Sequence, residues 1–232
     1  MADNDAKKMV RLEYKAYFAE SGRLYDTTDE AAAKEADIYN EKYSYAPMAY
    51  IVGSGKLFQA LDDAISKAEV GKEEEVLIPA EDAAGPRDPK LIEVYPIKEF
   101  YKKEVNPYPG LQVTIGNRVG HVMSVGAGRV RVDFNSPLAG FDLLYKITVK
   151  EIIEKPEDKA KAIIEVDFGD SEGFSFAFPE GKVVVTLSEI TKFHQDWQVA
   201  RFKVVSDLRE AFGVSTVEFV EVWSSSKKDK EE

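Results

Sequence analysis

The sequence predicts an α+β protein built from more than one compact unit. Three observations carry this. Residues 9–18 and 143–152 alternate apolar and polar side chains, the period of a half-buried strand. Between them, Leu57, Phe58, Leu61, Ala64 and Ile65 fall near helical spacing. The chain has 232 residues, more than one small domain needs, so two or three units are expected.

In the first strand Val10, Leu12, Tyr14, Ala16 and Phe18 share one face, and Arg11, Glu13 and Lys15 the other. Ser21-Gly22 turns the chain and Arg23–Asp26 reads as the return strand. Residues 28–47 are polar and Ala-rich, a long excursion with a helical turn or two near Glu30–Ala36. Tyr50-Ile51-Val52 is a short strand ending at Gly53-Ser54-Gly55. The helix that follows stops by Gly71, and Glu74–Pro79 is a strand.

From Pro86 the texture changes. Pro86, Pro89, Pro96, Pro107 and Pro109 punctuate a segment leading into three short strands, 111–115, 119–124 and 129–134, with turns at Gly116-Asn117 and Gly126-Ala127-Gly128. After the strand 143–152, the charged run Glu154–Lys159 reads as a domain boundary. Beyond it 162–168, 174–178 and 182–187 read as strands, 194–212 as a helix and 215–223 as a last strand. Residues 224–232 read as a disordered tail.

A net charge of −11 gives no general attraction to nucleic acid, which needs clustered Lys and Arg. The absence of cysteine removes disulfides, thiol catalysis and Cys-based zinc sites. The N-terminus has no apolar signal segment, and no run approaches the ~20 apolar residues of a membrane span. A soluble cytoplasmic protein is expected. Gly53-Ser54-Gly55-Lys56 is no phosphate loop: Tyr50 stands where the first glycine is needed, and Leu57 follows the lysine. His121 and His194 fall in different expected domains, so neither a metal site nor a catalytic triad is indicated. Asp62-Asp63 and Glu73-Glu74-Glu75 read as solvated edges rather than paired acids.

Taken alone, Tyr14, Tyr50 and Tyr145 would be core aromatics, and Asp26-Thr27-Thr28 a turn or helix cap. The order of parts says more. Tyr14, then Gly22…Tyr25-Asp26, then Ala46-Pro47-Met48-Ala49-Tyr50-Ile51-Val52-Gly53…Gly55…Leu57…Leu61 resembles an FKBP domain of the SlyD type, in its long archaeal form. Val70-Gly71-Lys72, Glu81–Gly85, Leu138-Ala139-Gly140 and Tyr145 continue the resemblance, which covers about residues 8–153. It implies a peptidyl-prolyl cis/trans isomerase of FKBP type. The expected fold is an FKBP-like antiparallel sheet wrapped on a short helix, with an inserted β-rich "insert-in-flap" (IF) domain and a C-terminal α+β domain. In residues, this means FKBP at 1–88 and 139–155, the IF insert at 89–138 and the C-terminal domain at 156–223, which implies a homodimer.

Carried over by position, Tyr14, Tyr25, Asp26, Met48, Leu57, Phe58, Leu61 and Tyr145 line the isomerase pocket, Tyr50 lies beneath it and Leu138 closes one wall. The resemblance implies no cofactor and no metal. Asp26 is expected to orient Tyr14 or to polarise the carbonyl region, and the main-chain N–H near Leu57–Phe58 to hold the substrate carbonyl. Two departures stand out. Ala84 occupies the place of a pocket-rim Tyr, which removes one hydroxyl, and Leu61 stands where the smallest members floor the pocket with Trp, as is usual in the SlyD type. The tail Lys-Lys-Asp-Lys-Glu-Glu lacks the metal-binding residues of SlyD.

In the expected IF segment, Val113, Ile115, Val119, Val122, Met123, Val130, Val132 and Phe134 exceed what three short strands hide. Half are expected in a small core and half in an exposed groove for extended client chains. The expected partners are unfolded or nascent polypeptides. The rival reading is a dimeric holdase with a weak or vestigial isomerase pocket, favoured by Ala84.

Overall fold

The computed structural model describes residues 8–43 and 45–223. The expected tail at 224–232 lies outside them. The chain divides into two compact units, one of Met1–Ala16, Leu24–Val76 and Tyr145–Glu232, the other of Tyr17–Arg23 and Leu77–Leu144.

The first unit holds most of a five-stranded sheet formed by β1 (Met9–Phe18), β2 (Leu24–Thr27), β3 (Met48–Ile51), β4 (Glu73–Ile78) and the later strand β9 (Leu143–Ile152). Its order is β2-β1-β9-β4, with β3 antiparallel to β1 in the register Met9↔Ile51 to Leu12↔Met48. Along β1, Val10, Leu12 and Ala16 are fully buried, as the alternation requires. A short helix, α1 (Glu30–Glu35), is capped by Asp29, whose carboxylate accepts the Ala32 N–H. The second helix, α2 (Gln59–Lys67), buries Leu61 and Ile65, each worth about 1.5–3 kcal/mol relative to exposure.

The chain after β9 corrects one expectation. Residues 162–168 are not a strand but the end of a helix, α4 (Pro156–Phe168). Pro156 in its first turn, Glu157 and Asp158 beside it, and Gly169 in the left-handed conformation at its end specify it locally. Ile163, Ile164 and Val166 mimic a strand because the helix buries Ala160, Ala162, Ile163 and Ile164 together, which blurs the helical period. The charged run 154–159 thus opens a helix.

A three-stranded sheet follows, β10 (Ser175–Ala177), β11 (Lys182–Thr186) and β12 (Thr216–Val220), in that order. β11 and β12 are parallel, so their connection must cross over, and α5 (Gln195–Phe212) supplies the crossover. Met9, Ala49 and Ile51 share one apolar core with Ile163, Ile164, Val183, Val185, Trp197, Val204 and Leu208. Residues 156–223 therefore pack on β1 and β3 rather than standing apart from them.

The second unit contains a four-stranded antiparallel sheet: β5 (Ile92–Pro96), β6 (Gln112–Ile115), β7 (Arg118–Gly126) and β8 (Arg129–Asp133), ordered β5-β8-β7-β6. Three of these strands are the expected ones. β5 and the helix after it, α3 (Ile97–Tyr101), were hidden by the prolines; Pro96 is tolerated because β5 is an edge strand. α3 supplies Phe100 to the core of Val113, Val122, Val130 and Val132. Gly120 is required by close approach: a Cβ there would meet the Asp133 carbonyl at 2.8 Å.

The stretches entering and leaving this sheet are stitched by side chains. Arg87 pairs with the buried Asp133, and Asn135 accepts the Asp88 N–H at 2.9 Å while donating to the Asp88 carbonyl at 3.0 Å.

Candidate active site

β1 and β2 place Tyr14 beside Tyr25-Asp26, and threonine side chains bonded to the Tyr14 main chain help fix this pairing. The Tyr14 N–H donates to Thr28 Oγ1 at 2.9 Å, and the Tyr14 carbonyl accepts from Thr27 Oγ1 at 2.9 Å. Thr27-Thr28 thus lock the strands where the aromatic site begins.

On that base the side chains converge. The Tyr14 hydroxyl donates to Asp26 Oδ2 at 2.8 Å, and Asp26 Oδ1 accepts the Thr27 N–H at 2.9 Å. The Tyr25 hydroxyl donates to that of Tyr145 on β9 at 2.7 Å. Tyr145 is the hub: Tyr14, Tyr25 and Phe58 surround its ring with centroids 6.0, 6.2 and 6.3 Å away, tilted or edge-on as aromatic quadrupoles prefer.

Burial holds the Tyr14 phenol well above its usual range, helped by the Asp26 carboxylate. Burial raises Tyr25 as well, aided by its bond to Tyr145, and burial likewise raises Tyr145. All three stay neutral through the ordinary pH range and act as hydrogen-bonding phenols.

Met48 joins Tyr14 and Asp26 along a cleft of about 350 Å³ whose other walls include Thr28, Tyr43 and Tyr45. These last two tyrosines were passed over as part of a polar excursion; their signal was the aromatic cluster Tyr39, Tyr43, Tyr45. Tyr45 is held in place by stacking on Tyr39, 5.3 Å between centroids, and by accepting the Asn40 N–H.

Leu61 is buried on α2, and Leu57 and Phe58 are half-buried just before it. Tyr50 lies in the core as expected, 2% exposed. Its hydroxyl donates to Asp62 Oδ1 at 2.8 Å and also faces the Leu57 main-chain amide. Burial first, then the Asp62 bond, pushes the Tyr50 phenol up to about 12.

Asp62 corrects the reading of Asp62-Asp63 as a solvated edge. Asp63 is exposed, but Asp62 is buried and also accepts the Gly53 N–H at 2.8 Å. Its position, four residues after Phe58 and three before Ile65, puts it on the inner face of α2.

Leu138, the ninth predicted residue, belongs to the second unit, half-buried in the turn 136–139. Ala84 is half-buried in a turn of the same unit, closed by the Gly85 N–H on the Ala80 carbonyl. Among the described residues, no three or more potential ligand side chains gather to hold a metal ion. Nor is any described helix long and apolar enough to cross a membrane.

Comparison with known proteins fits this geometry. The sequence matches two family models, described as FKBP26, IF domain over residues 93–138 and FKBP26_C-terminal over residues 156–224. It is 34% identical over 131 residues to the short-type peptidyl-prolyl cis-trans isomerase of Methanocaldococcus jannaschii, which spans 56% of this chain and 83% of that protein. It is 27% identical over 132 residues to the FKBP-type peptidyl-prolyl cis-trans isomerase SlyD of Helicobacter pylori, covering 55% of this chain and 70% of that one. The SlyD protein of Escherichia coli (strain K12) is 27% identical over 134 residues, 56% of this chain and 68% of its own length.

Proposed function

This chain belongs to the FKBP-type peptidyl-prolyl cis/trans isomerases, and from that premise we propose that it is both an isomerase and a folding chaperone for unfolded or nascent proteins in the cytoplasm. In this reading Tyr14, Tyr25, Asp26, Met48, Leu57, Phe58, Leu61 and Tyr145 form the prolyl pocket.

The barrier to rotation, ~18–20 kcal/mol, comes from amide resonance. As the bond twists, resonance is lost and the carbonyl gives up partial charge. An apolar cavity strips the water that favours the planar form, and rings tilted or edge-on around Tyr145 offer apolar walls to a twisted proline. Each ~1.4 kcal/mol gained in this way is tenfold in rate, so no covalent step is needed. Asp26 orients Tyr14 and takes no proton. The main-chain N–H near Leu57–Phe58 holds the substrate carbonyl.

The observation that carries this reading is the pair of hydrogen bonds, Tyr14–Asp26 and Tyr25–Tyr145, beside the Tyr145 ring. The test is Asp26→Leu: catalysed refolding of a proline-limited protein should drop while aggregation suppression stays. If both survive, the rival holdase reading, which Ala84 favours, takes over.

The chaperone half rests on the second unit. A groove of about 270 Å³ opens beside the edge strand β6, lined mostly by Phe100, Val105, Leu111, Val113 and Ile115. Val119 and Met123 on β7 are also exposed. A free strand edge beside apolar side chains suits capture of extended chains by strand addition.

The homodimer is assigned to residues 156–223, where Phe193 is 83% exposed and Val199, Phe202 and Trp223 are also open. Such a face on one chain suits a second copy. A monomeric mass by light scattering at tens of micromolar would reject it.

A further inference from the structure

We propose that Lys56 is a positioning residue of the isomerase pocket: by pairing with Asp207 on α5 and facing Asp167 on α4, it holds the end of the 53–58 loop, and with it the Leu57 and Phe58 side chains that follow, in place for substrate. The proposal rests on the pocket reading above and gives residues 156–223 a part in catalysis.

The loop needs holding. Gly53 and Gly55 both have positive φ, 79° and 68°, so its backbone has more freedom than an ordinary connection. One anchor is internal: Asp62 on α2 accepts the Gly53 N–H at 2.8 Å. The second lies at the far end, one residue before Leu57. Lys56 Nζ donates to Asp207 Oδ2 at 2.6 Å and sits 3.6 Å from Asp167 Oδ1. Lys203, four residues before Asp207 on α5, closes the set by bonding Asp167 Oδ1.

The set carries two positive and two negative charges, with its carboxylates out of water and its lysines partly in it, the Lys203 side chain being 52% exposed. The Asp167 side chain is fully buried, that of Asp207 12% exposed and that of Lys56 32% exposed. Screening is weaker there than at a surface pair. Burial works against the Lys56 ammonium, but Asp207 and Asp167 outweigh it and hold its pKa above the usual lysine value. Burial dominates at Asp167 and raises it against the pull of Lys203, and its Oδ2 has no hydrogen-bond partner among the described residues.

The support is continuous with the core. α4 packs on β3, and a cavity of about 20 Å³ between them is lined by Met48, Tyr50, Lys56, Ile163 and Asp207. The strand that bears Met48 and the loop that bears Leu57 therefore rest on the same two helices.

A simple staple would hold the helices on and leave the loop's aim unchanged, so the test separates binding from stability. KM and kcat for a short proline peptide are measured on the full chain for Lys56→Met, Asp207→Asn and the double variant Lys56→Met/Asp207→Leu. The double variant removes both charges and leaves no lone buried carboxylate at that pair. The expected result is a KM raised about threefold to tenfold in all three, with kcat changed less than about twofold, and near-normal KM in Lys56→Arg. A folded double variant with wild-type KM and only a lowered melting temperature would overturn the proposal. A wild-type chain inactive on the peptide would overturn the pocket reading itself.

Discussion

The aromatic pocket and the inserted β-sheet handle apolar side chains in opposite ways. In the pocket, the hydroxyls of Tyr14 and Tyr25 each find a partner and their rings stand at fixed angles around Tyr145, while Tyr50 in the core bonds Asp62. In the inserted sheet, Val94, Val119 and Met123 stay exposed, and among the described residues β6 keeps an unpaired edge beside a groove. A surface that must recognise one bond benefits from preorganisation. A surface that must accept many sequences benefits from plain apolar area and backbone hydrogen bonding, which ignore sequence. In the proposed reading, this difference is the reason for one chain to carry both.

The sharpest way to break this division is to delete residues 90–137 and close the gap with a short linker. Loss of local client concentration should slow catalysed refolding of a proline-limited protein by on the order of 100-fold. Short-peptide isomerisation should change only a few-fold. Equal losses in both assays would mean that the inserted sheet does not recruit.

A substitution within the pocket should give the reverse pattern. Asp26→Leu removes the acceptor of the Tyr14 hydroxyl and should lower peptide kcat/KM about tenfold, with aggregation suppression unchanged. Next in size is Asp62→Ala, which removes the acceptor shared by the buried Tyr50 hydroxyl and the Gly53 N–H. It should cost about 1–3 kcal/mol in denaturant unfolding. A change within error would show that these groups find other partners. Tyr145→Phe deletes one acceptor while keeping the ring, so kcat/KM should fall only about threefold.

The pH dependence has a definite sign. The phenols of Tyr14, Tyr25 and Tyr145 are raised in the fold, so the protonated forms are favoured there. Their contribution to stability is complete below the ordinary phenol value of about 10. It is lost as pH climbs beyond that toward the folded values. Activity should be level from neutral to mildly alkaline pH, with a loss tracking unfolding only above about pH 10. A fall in the folded protein near neutrality would contradict the assignment of neutral phenols.

Much of the fold was legible because period and burial agree. β1 and β9 alternate cleanly, and their inward residues are the buried ones. α2 showed in the spacing of Leu57 to Ile65. Where they disagree the reading failed. Pro96 masked β5, since proline argues against a strand unless its N–H side is free. α4 looked like a strand because its middle is β-branched and its inner face is wide.

The same logic divides the site. Tyr14, Tyr25-Asp26, Phe58 and Tyr145 come together in the structure, and the order of motifs named them in advance. Asp62 and Lys56 were missed because their meaning lies in partners remote from their neighbours in sequence: Tyr50 and Gly53 for one, Asp207 and Asp167 for the other. A charged residue beside other polar residues reads as solvated until the fold shows what it faces.

The central claim, a pocket that isomerises and an inserted sheet that feeds it, meets its most direct test in one paired measurement on the intact chain. Protease-free isomerisation of a proline peptide would be run beside refolding of a protein limited by proline isomerisation. Catalysis of both, stronger on the protein, is the predicted result. Silence in both with aggregation still suppressed would contradict it and leave a chaperone on an isomerase fold.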